Sequence, residues 1–464
     1  MGYIFSKNLP IPRKIASSSL AMKYPCQRPA FEKRLFVSNT IDDAINRIST
    51  SIANPEIAWL FSNCLPNTLD TTVYYSNKDK EDTFVITGDI DAMWLRDSAA
   101  QIWPYLRFVK DDSALSSLFR GLINRQARCI LLDPYANAFY REPHLGKWKD
   151  DLTEMKPGVH ERKWEIDSLC YFLRLSHGYW SATNDKSCFG GRWKSALIAT
   201  LNTIKEQQHF DRSYVFQRQS PRSSDTLSMD GVANPSKRCG LVRSAFRPSD
   251  DACLLPFLIP SNSFLSVTLN HISELIDQVY QDTMIAGGCR ELAKEIEQAI
   301  RNEAMQQHPT GKTVYAYEVD GFGGRVFMDD ANIPSLLSLP YLGFCSKNDP
   351  VYQNTRAAIL GPDNPYFFKG SAGEGIGGPH IGMDYIWPMA IIMRALTSDD
   401  DEEILQCLRI LKTTHAGTGF MHESFHKNDP KEFTRPWFGW VNSLFGELIL
   451  TLYEERPHLL DQAV

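Results

Sequence analysis

The chain has no C-x-x-C pair and no cysteine cluster; its ten cysteines are scattered from Cys26 to Cys407. This spacing excludes zinc-ribbon and dithiol redox motifs, and the thiols are expected to be reduced. No stretch of roughly 18 apolar residues occurs, which argues against a membrane-spanning helix. The opening segment MGYIFSKNLPIPRKIASSSLAMKYP is broken by prolines and lysines. It lacks the apolar run of a secretion signal, so a cytoplasmic location is expected. Met1-Gly2 with Ser6 matches a myristoylation signal only weakly, and an ordinary tail is the better reading. An excess of positive charge is missing as well. The net charge of -6 argues against nucleic acid as a partner. No G-x-x-x-x-G-K-[ST] loop is present to cradle phosphate.

What is present is apolar material for a full-sized core, 43% of 464 residues, spaced with helical periodicity. Trp193, Leu197, Leu201 and Ile204 share one helix face, as do Leu292, Ile296 and Ile300, and then Ile404, Leu408 and Leu411. Similar segments lie near 41 to 62, 97 to 109, 114 to 132, 165 to 182, 262 to 283, 332 to 343, 384 to 397 and 436 to 455. Strand-like runs are short, at 82 to 87, 213 to 217 and 313 to 319, without a βαβ rhythm. The pattern predicts a mostly helical fold, with a tail over 1–35 and a single domain over 36–464. Paired helices in a toroid suit it, although periodicity alone does not close a ring.

The segments between helices concentrate acids, Arg and Trp. GDIDAMWLRDS sets Arg96 and Asp97 beside Trp94 at a helix start, where Asp97 also reads as a cap. KWEIDSLC puts Glu165 and Asp167 ahead of an apolar helix, where acids also serve as dipole partners. FRPSDDA holds adjacent Asp250 and Asp251 between apolar residues, a setting that raises a carboxyl pKa as a general acid requires. Asp329 and Asp330 sit where an extended run meets a helix. The glycine-rich loop 367–388, which carries His380, suits a wall that lets backbone approach a ligand.

His422-Glu423-Ser424-Phe425-His426 fits the H-E-x-x-H pattern of zinc peptidases. That chemistry needs a lasting helix to bring both rings to one metal. The glycines before the pattern and Asn428-Asp429-Pro430 after it break any helix. Trp437 and Trp440, with Trp94, Trp103, Trp164 and Trp387, lie in or beside acid-rich segments. Rings next to carboxylates and Arg are what a sugar site uses, stacking C–H faces and bonding hydroxyls.

GDIDAMWLRDS, KWEIDSLC, FRPSDDA, MDDANIPSLLSLPYLG, WPMAIIMRALTS and HESF with TRPWFGWVNSLFGELI resemble, in order, the landmarks of glycoside hydrolase family 125. The resemblance covers roughly residues 35 to 455. It implies an all-α (α/α)6 barrel with short β elements in loops, and an exo-acting, inverting, metal-independent α-1,6-mannosidase that needs no cofactor. Inversion uses one carboxylic acid on the leaving oxygen and one carboxylate on water. By motif, the acid falls in FRPSDDA, with Asp250 preferred to Asp251, and the base is Glu423. Trp94, Arg96, Asp97, Glu165, Asp167, Asp329, Asp330, His380, His422 and Arg435 are implied as sugar-binding or positioning residues, with Trp437 as a stacking wall. The resembling motif usually reads Asp-Ile-Pro where this chain has Asp91. The implied partner is an α-1,6-linked mannoside oligosaccharide such as an N-glycan fragment, acted on by a monomer with no membrane or nucleic-acid partner. A zinc peptidase built on His422, Glu423 and His426 and a non-catalytic mannoside-binding protein stand as alternatives.

Overall fold

The computed structural model describes residues 23–462 apart from 79 and 212. The first 22 residues of the expected tail, including the weak lipidation match, lie outside the described residues. The α-helices longer than one turn among the described residues are α1 (Asn39–Ser49), α2 (Pro55–Thr71), α3 (Leu95–Ile102), α4 (Ser113–Leu132), α5 (Ile166–Thr183), α6 (Gly191–His209), α7 (Ile259–Tyr280), α8 (Thr283–Glu303), α9 (Pro350–Ile359), α10 (Pro388–Leu396), α11 (Asp401–Thr414) and α12 (Gly439–Glu455). Starts follow from local chemistry: Ser38, Asn54, Asp112, Asp282, Asp349 and Asp400 accept bonds from first-turn N–H groups.

Helices packed side by side run α10, α12, α3, α5, α7. A second set covers them, with α2 on α12, α4 on α5, α8 on α7 and α11 on α10. The covered helices carry apolar and small polar residues on nearly every side, as α7 and α12 illustrate, whereas α8 and α11 bury one stripe. The buried apolar side chains form one main cluster from Phe36 to Leu460. Arg28 joins Asp42 of α1 to Asp70 of α2, fixing the entering chain to both helices.

The structure departs from the sequence pattern in four places. The stretch near 41 to 62 is two helices, because Asn54-Pro55 starts a new one. The predicted helix over 332 to 343 is a series of turns containing Pro334 and Pro340, held by Asp329, whose carboxylate accepts from the Leu336 and Leu337 N–H groups at 2.8 and 3.0 Å. Helix α9, not foreseen, buries only Tyr352, Thr355, Ala358 and Ile359. The strand expected over 213 to 217 is a single bridge, Leu152 to Gln217.

Small antiparallel sheets sit at the N-terminal ends of the covered helices. Met93–Trp94 runs directly into α3, Phe257–Leu258 into α7, and Tyr385–Ile386 leads to α10. First-turn side chains and their loops therefore gather at one end, where helix N-termini favour carboxylates. No helix among the described residues is long and apolar enough to cross a membrane.

Candidate active site

At that end lies a cavity of about 500 Å³, a size that encloses a small ligand. Its lining includes Trp94, Arg96, Asp97, Asp250, His380, Glu423 and Arg435, seven of the residues singled out from sequence. Trp387, Phe438 and Trp440 add aromatic surface.

Arg96, in the first turn of α3, is buried and organises the floor. Its guanidinium donates to Glu165 at 2.6 Å, Asp167 at 3.0 Å and Asp250 at 3.0 Å. Asp97 lies 3.6 Å from it. Burial, partly offset by Arg96 and reinforced by Asp250, pushes the Asp97 carboxyl up to about 6. Glu165 and Asp167 are buried outside the lining and act on the cavity through Arg96. We expect Arg96→Met to lower stability by about 3–5 kcal/mol in denaturant unfolding, because it strands buried carboxylates without their cation.

Of the adjacent aspartates, only Asp250 lines the cavity. It has a left-handed backbone, φ 66°, which turns its neighbour the other way. Asp251 is buried, with Oδ1 3.3 Å from His380 Nδ1. Burial disfavours the imidazolium, but Asp251 outweighs it and holds His380 up to about 9, so a cation faces the cavity. The loop is locked by Arg247 on Glu318 at 2.7 Å, Ser249 on Asp330 at 2.8 Å, and Lys163, which donates to the Asp250 carbonyl at 2.6 Å. Asp330 thus supports the loop from outside the lining, and Asp329 holds the 335–344 turns.

Glu423 lies immediately before a strand, Ser424–His426. Its Oε2 accepts from the Thr434 hydroxyl at 2.9 Å, and Arg435 stands 3.5 Å from Oε1. Arg435 is held in turn by Asp89 at 2.6 Å. The turn after strand Asp82–Val85 passes here at Gly88, φ 132°, where a Cβ would lie 2.2 Å from the Trp437 carbonyl oxygen. Asp91 is exposed and outside the lining.

Three expectations fare differently. The H-E-x-x-H pattern runs from a loop at His422 and Glu423 into the strand Ser424–His426, so the helical peptidase geometry is not formed. His422 stacks on Phe433 with ring centroids 3.7 Å apart, and its Nε2 faces Thr418 and the His415 carbonyl, behind the cavity. Among the described residues no group of three or more His, Cys, Asp or Glu is arranged to hold a metal. Trp437 is not in the lining: its indole N–H bonds Thr71 at 3.2 Å, and Trp94, Trp387 and Trp440 occupy the wall instead.

Several residues were missed from sequence. Glu161 and Lys163 line the cavity, as do Trp148, Arg218 and Asp225, while Asn137 lies beneath. Glu161, Lys163 and Glu165 alternate in HERKWEID, a period-two signal that an extended approach to α5 sends them the same way. Asn137, in YANAF, carries no such signal.

A family model described as metal-independent α-mannosidase (GH125) matches residues 54–450. The chain belongs to glycoside hydrolase family 125. A family 125 relative, solved as a metal-independent α-mannosidase of Streptococcus pneumoniae in a non-productive complex with α-1,6-mannobiose, is 40% identical. It superposes with a TM-score of 0.88 over 91% of this chain and 100% of its own. The Meiotically up-regulated gene 157 protein of Schizosaccharomyces pombe is 43% identical over 99% of this chain and 97% of its own. A bacterial glucoamylase complexed with acarbose, 12% identical with a TM-score of 0.55 over 92% of this chain and 58% of its own, shares the fold alone. As a family 125 member the protein is a glycoside hydrolase, a metal-independent α-mannosidase.

Proposed function

We propose that the protein is an exo-acting, inverting α-1,6-mannosidase, with Asp250 as general acid and Glu423 as general base. One observation carries this reading: Asp250 and Glu423 line the same cavity, whereas Asp251 is buried against His380. Asp250 protonates the glycosidic oxygen as the C1–O bond breaks. Glu423 takes a proton from a water that attacks C1 from the opposite face, so that β-mannose leaves. Trp94, Trp387 and Trp440 supply apolar surface to the sugar, and Arg96, Asp97, His380 and Arg435 bind its hydroxyls. The end closed by the Arg96 network suits one terminal mannose, and the open side the rest of an α-1,6-linked chain such as an N-glycan fragment. The S. pneumoniae complex with α-1,6-mannobiose supports that linkage. We further propose that the described helices, with the 335–344 turns in one helix's place, close as an (α/α)6 barrel within a single domain acting as a monomer.

Purified protein incubated with α-1,6-mannobiose, with and without a strong chelator, is the test. We expect NMR to detect β-mannose first, at a rate the chelator leaves unchanged. Initial α-mannose would contradict inversion, and no release of mannose would remove the linkage assignment.

A further inference from the structure

Beneath the cavity floor, three carboxyl groups converge on one amide. Asn137 Nδ2 lies 3.0 Å from Glu161 Oε2, 3.2 Å from Glu165 Oε1 and 3.2 Å from Asp250 Oδ1. An amide nitrogen carries two hydrogens, so it cannot serve three acceptors fully. Glu165 and Asp250 also share the Arg96 guanidinium, Glu165 on Nη1 and Asp250 on Nη2. Two carboxylates crowded onto one amide nitrogen and one guanidinium cannot both ionise cheaply. One proton held between them relieves the repulsion.

We infer that Glu165 is the proton partner of Asp250: the two carboxyls hold one proton in common, and Glu165 keeps the acid loaded near neutral pH. This rests on the assignment of Asp250 as general acid. Glu165 is a positioning residue, since it is buried outside the cavity lining and acts on the substrate through Asp250 and Arg96. In turnover the Asp250 O–H bond breaks and a leaving-group O–H bond forms, leaving both carboxyls ionised. The pair regains its proton from solvent through Asp250, whose side chain is 22% exposed to the cavity.

The surrounding charges explain why a partner is needed. From α3 come Arg96 and Asp97. The 159–167 segment brings Glu161, Lys163 and Asp167. His380, paired with Asp251, faces the pair across the cavity, while Arg218 and Asp225 act one step away on Glu161 and Lys163. Burial raises the Asp250 carboxyl, but Arg96, Lys163 and the contact with Glu165 outweigh it, so Asp250 is the ionised member of the pair and draws its proton from Glu165. Burial, reduced by Arg96 and reinforced by Asp250 and Asp167, holds Glu165 well above the carboxylate range. Neighbouring carboxyls that cannot both ionise cheaply retain a proton despite the cations.

The test is the pH profile of kcat/KM for Glu165→Gln. The alkaline limb reports the protonated acid. Without the second carboxyl Asp250 ionises earlier, so this limb should move down by a unit or more, with activity above it falling about tenfold per unit. Glu165→Asp should restore part of the displacement. The infrared band of a protonated carboxyl, present in the wild type near neutral pH, should vanish in Glu165→Gln. A uniform loss with an unmoved limb and a retained band would show a merely structural role and overturn the inference. Should Glu165→Gln not fold, the limb of Glu165→Asp and the wild-type band decide instead: an unmoved limb with no band overturns the proposal. The parent assignment fails separately, if Asp250→Asn keeps a wild-type alkaline limb.

Discussion

Replacing Glu423 by Gln is expected to slow hydrolysis of an α-1,6-mannoside by roughly 10²- to 10⁴-fold, the usual weight of general base catalysis. Gln keeps the shape of Glu and can still accept from the Thr434 hydroxyl, but it cannot take a proton from water. The pocket around it should persist, because Arg435 retains Asp89, Thr87 and the Phe438 ring as neighbours. Sugar binding should therefore change little while kcat falls, the pattern of an interaction made in the transition state. Steady-state kinetics paired with calorimetric titration of mannose separates the two quantities. A kcat within tenfold of wild type would remove Glu423 from the base role. A matched loss of binding would make it a sugar ligand instead.

The glutamate at the centre of this prediction shows how far the sequence could be read. H-E-x-x-H suggests a helix carrying two ligands, but Gly417 and Gly419 lie in turns and bends, and Lys427-Asn428 turn the short strand Ser424–His426 back into the strand Asp429–Thr434. That much is local, and periodicity with proline and glycine already favours it. Helices α6, α8 and α11 were legible because one apolar face repeats, and the acid-rich segments stood out by composition. The 335–344 turns were misread as a helix because their leucines have helical spacing, while the deciding bonds come from Asp329 and Tyr352. Which side chain faces the cavity was the least legible property. Asp250 and Asp251 are identical in type and adjacent. A single left-handed residue, fixed by Lys163 from another segment, sends one to the cavity and the other to His380. Trp437 and Trp440 likewise differ by one α-helix start. The supporting amide, Asn137, is invisible to any local pattern because its partners lie 24, 28 and 113 residues away.

That left-handed turn makes Asp250→Asn the sharper experiment. We expect this substitution to lower turnover of α-1,6-mannobiose by roughly 10²- to 10⁴-fold, because the departing sugar hydroxyl leaves poorly without a proton. The loss should depend on the leaving group. An aryl α-mannoside that departs as a stabilised phenolate needs little protonation, so it should be hydrolysed by the variant at a rate close to wild type. A fold-wide defect would slow both substrates alike. Asn also tolerates the left-handed region, so the turn itself should survive. Asp251→Asn is the matched control: it weakens the His380 cation but leaves the proton donor in place, and should cost far less on both substrates. If Asp251→Asn proves the crippling change and Asp250→Asn the mild one, the acid is the buried member of the pair. Delivery of its proton would then pass through His380, which joins Asp251 to the cavity.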